Sequence, residues 1–365
     1  MSPVQYNLIT APIYDHFFTQ NGKLLAITNG NNVELYDVSG PKPKKLTVLQ
    51  HHDKPITAID ISADGKIVTC SQDRNALVWE PLPSGEYKPT LVLLRINRAA
   101  TCVKWSPNGL KFAVGSGARA IAICYFEEEN DWWISKHIKK PIRSTILSVD
   151  WHPNSVLLAA GSADGHVRVF STFVKSVDAK PAPSVWGERL PFQTLCGDYL
   201  TASGGSWIHD VAFSPSGDSV AFVGHDSTFG VVSPSDDPQV PGEFSSVPTN
   251  FLPFKSILFA NEHKVIAAGH DCHPVVFEQT GSGWAQTAAI DDPKTAKRNE
   301  VHQQSALNMF RQMDLKGGSP AEGSSSTLLT IHQNTINKLR PYAGTGNVTR
   351  FSSSGNDGKV VIFDV

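Results

Sequence analysis

A chain of 365 residues with 40% hydrophobic and 18% charged residues, 28 glycines and 24 prolines carries enough apolar material for a core and many turns, which excludes disorder throughout. A formal net charge of −2 supplies no overall positive field, so other proteins are the expected partners, with no nucleic acid and no anionic membrane. Five scattered cysteines (Cys70, Cys102, Cys124, Cys196, Cys272) without a C-x-x-C exclude a disulfide framework and read as reduced thiols of a cytosolic protein.

In chain order, the opening MSPVQYNLITAPIY lacks the charged and long apolar regions of a signal peptide, and no apolar run reaches membrane-spanning length. The expectation is a cytoplasmic protein without membrane insertion. Within that opening, VQYNLIT (4–10) reads as an extended stretch belonging to no repeat. A pattern then recurs: an apolar strand ending in a polar turn, a second strand, a tight turn, a third strand. It is clear at 56–79, 101–124, 146–170 and 208–232, and weaker from near Ile13, Ser256 and Ile336. The tight turn falls at Gly30, Asp73, Ala118, Asp164, Asp226, Asp271 and Asp357, and four of the six spacings are 43 to 46 residues. A period of about 45 is that of one four-stranded WD40 propeller blade. The sequence therefore predicts an all-β fold, a seven-bladed WD40 β-propeller, as a single domain over residues 1–365. The quartets SADG, SPNG, HPNS and SPSG place turn formers between the first and second strands of four repeats, as hairpins require. The seventh copy supplies only three strands, so 4–10 is expected to pair with it and close the ring.

The second repeat carries His52, Thr69, Asp73 and Trp79 at WD40 spacing. A His and an Asp at such positions could form a catalytic pair, but the spacing reproduces a blade rather than a cleft. The expectation is a buried structural network in which the polar groups satisfy one another. Phe170, Phe277 and Phe363 stand where Trp would, and Ala118 where Asp would, so those blades are expected to depend more on apolar packing.

Two spacings break the period. The interval of 62 after Asp164 points to a long surface connection, STFVKSVDAKPAPSVWGERLPFQTL, read as lying between blades four and five. The interval of 86 after Asp271 leaves an insert at 292–327, between blades six and seven, after an outer strand at 284–290. Loops of this length inside compact domains are usually functional or disordered. Within the insert, Ala306, Met309, Phe310 and Met313 fall on one helical face with Leu307 at its margin, and Asn308, Arg311 and Gln312 face away. Ser305 can cap the start, Gly317 can end the helix, and GGSPAEGSSS reads as a flexible tether. Met and Phe at anchor spacing suit a helix laid into a partner's groove. Packing back on the propeller is the competing reading.

Other clusters carry less. GHDCHP brings His270, Cys272 and His273 together with His263 nearby, yet Asp271 holds the repeat's turn position; Cys272 and His273 are expected to begin the third strand, and no metal is expected. KHIKKPIR joins Lys136, Lys139, Lys140 and Arg143 to Trp132 and Trp133, a possible basic and aromatic interaction patch, against the plainer reading of an outer strand and solvated loop. No G-x-S-x-G, P-loop, H-E-x-x-H or Rossmann fingerprint occurs, so no catalytic residue, metal or cofactor is expected.

Beyond the generic repeat, residues 103–155 with their CYFEEENDWW tail, IHDVAFSPSGD (208–218), SALNMFRQMD and IHQNTI (331–336) closely resemble one family. It is the forty-kilodalton WD-repeat subunit, subunit 1, of the actin-related protein 2/3 complex. The resemblance spans nearly the whole chain. It implies a non-catalytic scaffold subunit of the complex that nucleates branched actin filaments, located in the cytoplasm at the actin cytoskeleton. The implied partners are the other subunits, the mother actin filament and nucleation-promoting factors of the WASP type. The family's late insert is associated with the last two contacts, a role that falls here on Ala306, Leu307, Met309, Phe310, Arg311 and Met313. The alternative is a WD40 adaptor of another assembly, in signalling or as a ubiquitin-ligase substrate receptor.

Overall fold

The computed structural model describes residues 3–188, 190–201, 204–234, 242–292, 328–344 and 346–365. Their twenty-eight strands form seven antiparallel four-stranded sheets. Blade one spans 16–50, blade two 56–92, blade three 100–138, blade four 146–200, blade five 208–248 and blade six 254–289. Blade seven contains Ile336–Ala343, Arg350–Gly355 and Lys359–Asp364, and its outer strand is Val4–Asn7. The fold is thus the seven-bladed propeller that the repeat predicts, and the N-terminal strand closes it.

That closure follows from an unfilled edge. Lys359–Asp364 carries the consecutive buried residues Val360, Val361, Ile362 and Phe363 on a strand that would otherwise offer open hydrogen-bonding groups. Val4, Gln5, Tyr6 and Asn7 pair with Ile362, Val361, Val360 and Lys359, and Tyr6, Leu8 and Ile9 pack on the cluster around Ile13, Leu25 and Val360. Gly358, at φ +73°, passes so close beneath the incoming chain that a Cβ there would lie 1.9 Å from the Ile9 carbonyl oxygen. Only glycine meets both demands.

All seven tight-turn positions, from Gly30 to Asp357, lie between the second and third strands of their blades. The hairpin quartets end at Gly65, Gly109, Ser155 and Gly217, each with positive φ, as turns of this kind require. The core is a chain of seven apolar clusters, most of them spanning two neighbouring blades. Burial follows from position: the three inner strands of a blade are covered on both faces, so their runs are almost continuously apolar.

Two sequence expectations are corrected. The long connection after blade four's third strand lies within blade four, between His166–Ser171 and Leu195–Leu200, because its outer strand returns only after the detour. The detour is anchored by the fully buried Lys111, whose ammonium donates to Asp178 Oδ2 at 2.6 Å and to the Thr172 carbonyl at 3.1 Å, and by Trp186 Nε1 on the Gly217 carbonyl at 2.8 Å. Cys272 and His273 lie in the turn before the third strand, which begins at Val275; Cys272 has φ 63°, a turn conformation rather than a strand one.

Candidate functional site

Each blade is tied to the next near the ring centre, at four of the seven seams by a carboxylate on an inner strand or, for Asp15, just before one. Asp15 Oδ2 accepts the Ile59 N–H at 3.1 Å, Asp60 the Trp105 N–H at 2.7 Å, Asp150 the Phe213 N–H at 2.6 Å and Asp210 the Ile257 N–H at 3.0 Å. Between blades three and four, Trp151 Nε1 donates to the Lys104 carbonyl at 2.9 Å, and between six and seven Ser256 Oγ accepts the Leu339 N–H at 3.1 Å. His16 closes the circle, its ring nitrogens 2.8 and 2.9 Å from the hydroxyls of Ser352 and Ser354. Charge-assisted bonds from an anion to a backbone N–H are among the stronger ones, and here they set the blade-to-blade register.

Cations on neighbouring strands balance these anions. Arg340 spans blades seven, one and two, with Nη2 2.9 Å from Asp15 Oδ2 and Nη1 2.7 Å from Asp60 Oδ1. Lys104 pairs with Asp150, and Lys338 lies 3.2 Å from Asp210, which also takes bonds from the hydroxyls of Ser148 and Ser256. Lys338 and these bonds hold the Asp210 carboxyl below the usual range, although burial pushes it up. Asp60, Lys104, Asp150 and Arg340 all occupy the fifth position of their inner strands. The sequence reading missed them, although a charge recurring at one repeat position inside apolar runs is a visible signal.

His16 has a pH consequence. Burial first, then the positive charges of Arg340, His332 and Lys338, hold its imidazole well below its ordinary pKa. A base depressed on folding adds stability above its unfolded value of about 6.5 and loses it as pH falls. His52, His152, His209 and His270 are lowered as well, in the same direction. The melting temperature is therefore expected to drop between about pH 7 and about pH 5, and His16→Gln to flatten that slope in scanning calorimetry; parallel slopes would remove His16 from the effect.

The residues singled out in blade two meet: His52 Nδ1 lies 2.6 Å from Asp73 Oδ2, His52 Nε2 2.8 Å from Thr69 Oγ1, and Trp79 Nε1 donates to Thr69 Oγ1 at 3.0 Å. The hydroxyl, rather than the carboxylate, links imidazole and indole. Blade seven repeats the motif with His332, Ser353 and Asp357: Nδ1 lies 3.1 Å from Asp357 and Nε2 2.7 Å from Ser353 Oγ. That second network also escaped the sequence reading, although Ser353, Asp357 and Phe363 reproduce the spacing of Thr69, Asp73 and Trp79.

The His332 network secures the base of the insert. Asp291 Oδ2 accepts the Ile331 N–H at 2.5 Å, so the chain entering at 292 and leaving at 328 does so at one place. Lys359 Nζ caps the Ile331 carbonyl at 2.7 Å, and Gln333 N donates to Asp357 at 2.9 Å. Ala306, Leu307, Met309, Phe310, Arg311 and Met313 lie outside the described residues.

The blade-three patch is divided. Trp132 and Lys136 lie on the outer strand Trp132–Ile138, while Lys139, Lys140 and Arg143 follow it and are exposed. Seven residues at about 3.3 Å each put Trp132 roughly 23 Å from Lys139. Trp133 turns inward against Trp105, Phe112 and Phe126, and the Lys136 ammonium sits 5.6 Å from the Tyr125 ring. His263 and His270 lie at opposite ends of Lys264–Gly269, and no group of three or more metal-ligating side chains with suitable geometry occurs among the described residues. Nor is any helix there long and apolar enough to cross a membrane.

The WD domain, G-beta repeat model matches residues 43–80 and 135–171, in blades one and two and in blades three and four. The chain is 49% identical to actin-related protein 2/3 complex subunit 1 of Schizosaccharomyces pombe, over 98% of each chain. It is 47% identical to the Saccharomyces cerevisiae protein of the same name, over 99% of this chain and 96% of that one. Against subunit 1A-B of Xenopus laevis it is 46% identical over 98% of this chain and 95% of that one. The chain belongs to the actin-related protein 2/3 complex subunit 1 family. These relatives are named as subunits of the actin-related protein 2/3 complex. In this chain, the charge pairs and the His16 contacts above tie the blades of the ring to one another.

Proposed function

We propose that this protein is a non-catalytic scaffold subunit of a cytoplasmic complex that nucleates branched actin filaments. On this reading the propeller binds other subunits, and the insert contacts the mother filament, a nucleation-promoting factor of the WASP type, or both. The observation that supports it is the junction of Asp291 and Ile331: in a closed ring of this family, the two residues that flank the insert meet at the seam of blades six and seven.

Within that insert, the face of Ala306, Met309, Phe310 and Met313, with Leu307 and Arg311 beside it, is the proposed contact. Burying Phe310 and the two methionines contributes about 1.5–3 kcal/mol each, and ordering the segment costs about 2–5 kcal/mol. Such a contact is weak alone and effective as one of several in an assembly. Replacing Met309, Phe310 and Met313 together by serine is expected to leave the complex assembled and to lower branch formation several-fold in a pyrene-actin and filament-imaging assay. Branching at the native rate would refute the assignment. Stoichiometric co-purification, read by mass spectrometry, separates this reading from an adaptor of another assembly.

A further inference from the structure

The channel along the propeller axis has a volume of about 790 Å³, in the range of small-molecule sites. One entrance is built in a regular way. Thr57, Thr101, Leu147, His209, Lys255 and Asn337 each occupy the second position of an inner strand, and at each one the pairing register shifts. A bulge re-aims the extra side chain, and all six line the channel while remaining half-buried.

Three of the six are occupied with the neighbouring blade. Thr57 donates to the Ala100 carbonyl at 3.1 Å, Thr101 to that of Ile146 at 2.6 Å and Asn337 to that of Ile13 at 2.8 Å. Leu147 is apolar. The Lys255 ammonium makes no hydrogen bond or ion pair with any described residue, and the charge it feels is that of Asp210 nearby. His209 Nε2 lies 2.9 Å from His225 Nδ1, and His270, bonded to Thr335 Oγ1 at 3.0 Å, is close enough for its charge to be felt at His209.

The acidic groups facing this cluster are already committed. Asp210, beneath it, is satisfied by Lys338, Ser148, Ser256 and the Ile257 N–H. Asp271, beside His270, takes the Leu252 N–H at 2.6 Å. Burial pulls Lys255 down, opposed by the Asp210 charge and reinforced by Lys338, and burial together with Lys255, His225 and His270 pulls His209 down to about 4 against the pull of Asp210. Deeper in the channel Asp15, Asp60 and Asp150 are paired with Arg340 and Lys104, so an anion gains nothing by passing the entrance.

We propose that the channel entrance between blades five and six binds the phosphate group of a phosphorylated molecule, with Lys255 as its point-charge partner and the linked imidazoles of His209 and His225 as donors. An ammonium without a fixed fork suits a phosphate, and a dianion answers several neighbouring cations at once. Binding returns His209 toward its charged form, so protons are taken up and affinity rises as pH falls. This site does not rest on the assembly reading, and its failure would leave that reading untouched.

The test is calorimetric titration of the full chain with inorganic pyrophosphate at about pH 6 and about pH 7.5, in two buffers of different ionisation enthalpy. Saturable binding is expected, tighter at the lower pH and accompanied by proton uptake. Lys255→Met is expected to weaken it about tenfold or more, Lys255→Arg to retain it, and His209→Gln to abolish the uptake. Lys264→Met, which removes a surface pair with Glu278, is expected to change nothing. Phosphatidylcholine vesicles containing phosphatidylinositol bisphosphate identify the source: co-sedimentation assigns the phosphate to a lipid headgroup, and none assigns it to a free molecule. Absence of saturable pyrophosphate binding overturns the proposal, as does native affinity in a Lys255→Met protein with an unchanged melting temperature.

Discussion

Replacing Arg340 with methionine is expected to lower the unfolding free energy by about 3–5 kcal/mol. The guanidinium reaches across the closing seam from blade seven to Asp15 and Asp60, and also donates to the Ile59 carbonyl. Both carboxylates are buried, so the variant leaves them without the cation that offsets their desolvation. Arg340→Lys is expected to recover only part of the loss, because one ammonium cannot reproduce a fork that engages two carboxylates and a carbonyl. Adding Asp15→Asn and Asp60→Asn to Arg340→Met should cost less than the sum of the separate losses, since the charges left behind are removed together. Urea unfolding followed by tryptophan fluorescence measures each value; an unchanged midpoint in Arg340→Met would show that the seam is held elsewhere.

Deleting residues 1–10 is the second large change. It strips the ladder on Lys359–Asp364 and uncovers the apolar contacts of Tyr6, Leu8 and Ile9, which contribute about 1–2 kcal/mol each when half-buried. A loss of about 3–5 kcal/mol is expected, together with association through the opened edge. Scanning calorimetry and size-exclusion chromatography report the two effects. A native melting temperature in a monomeric deletion would contradict closure by this strand. Gly358→Ala is expected to act in the same direction, because the added methyl would meet the Ile9 carbonyl.

Both effects concern ring closure, and they differ in how legible they were. The pairing of 4–10 with blade seven could be anticipated, because a three-strand repeat leaves an edge and a spare extended stretch precedes the first blade. The role of Arg340 could not be reached in this way. It is separated from Asp15 by 325 residues and from Asp60 by 280, and joins them only because the ring closes. His332 shows an intermediate case. Its partners Ser353 and Asp357 follow the spacing seen in blade two, yet that it secures the insert emerges only when Asp291 and Ile331 are seen to meet.

Residue order is enough to give the class of fold, the number of blades, the place of every tight turn and the strand that closes the ring. These are local properties: short apolar runs, turn residues and a repeat length act within about 45 residues. Only in the folded chain does it emerge which charges face one another at the axis, that the connection after Ser171 belongs inside blade four, and that six bulged positions make one channel entrance. Those features depend on strands from different blades converging on a common axis, where desolvation makes each charge seek a partner that the linear chain does not place nearby.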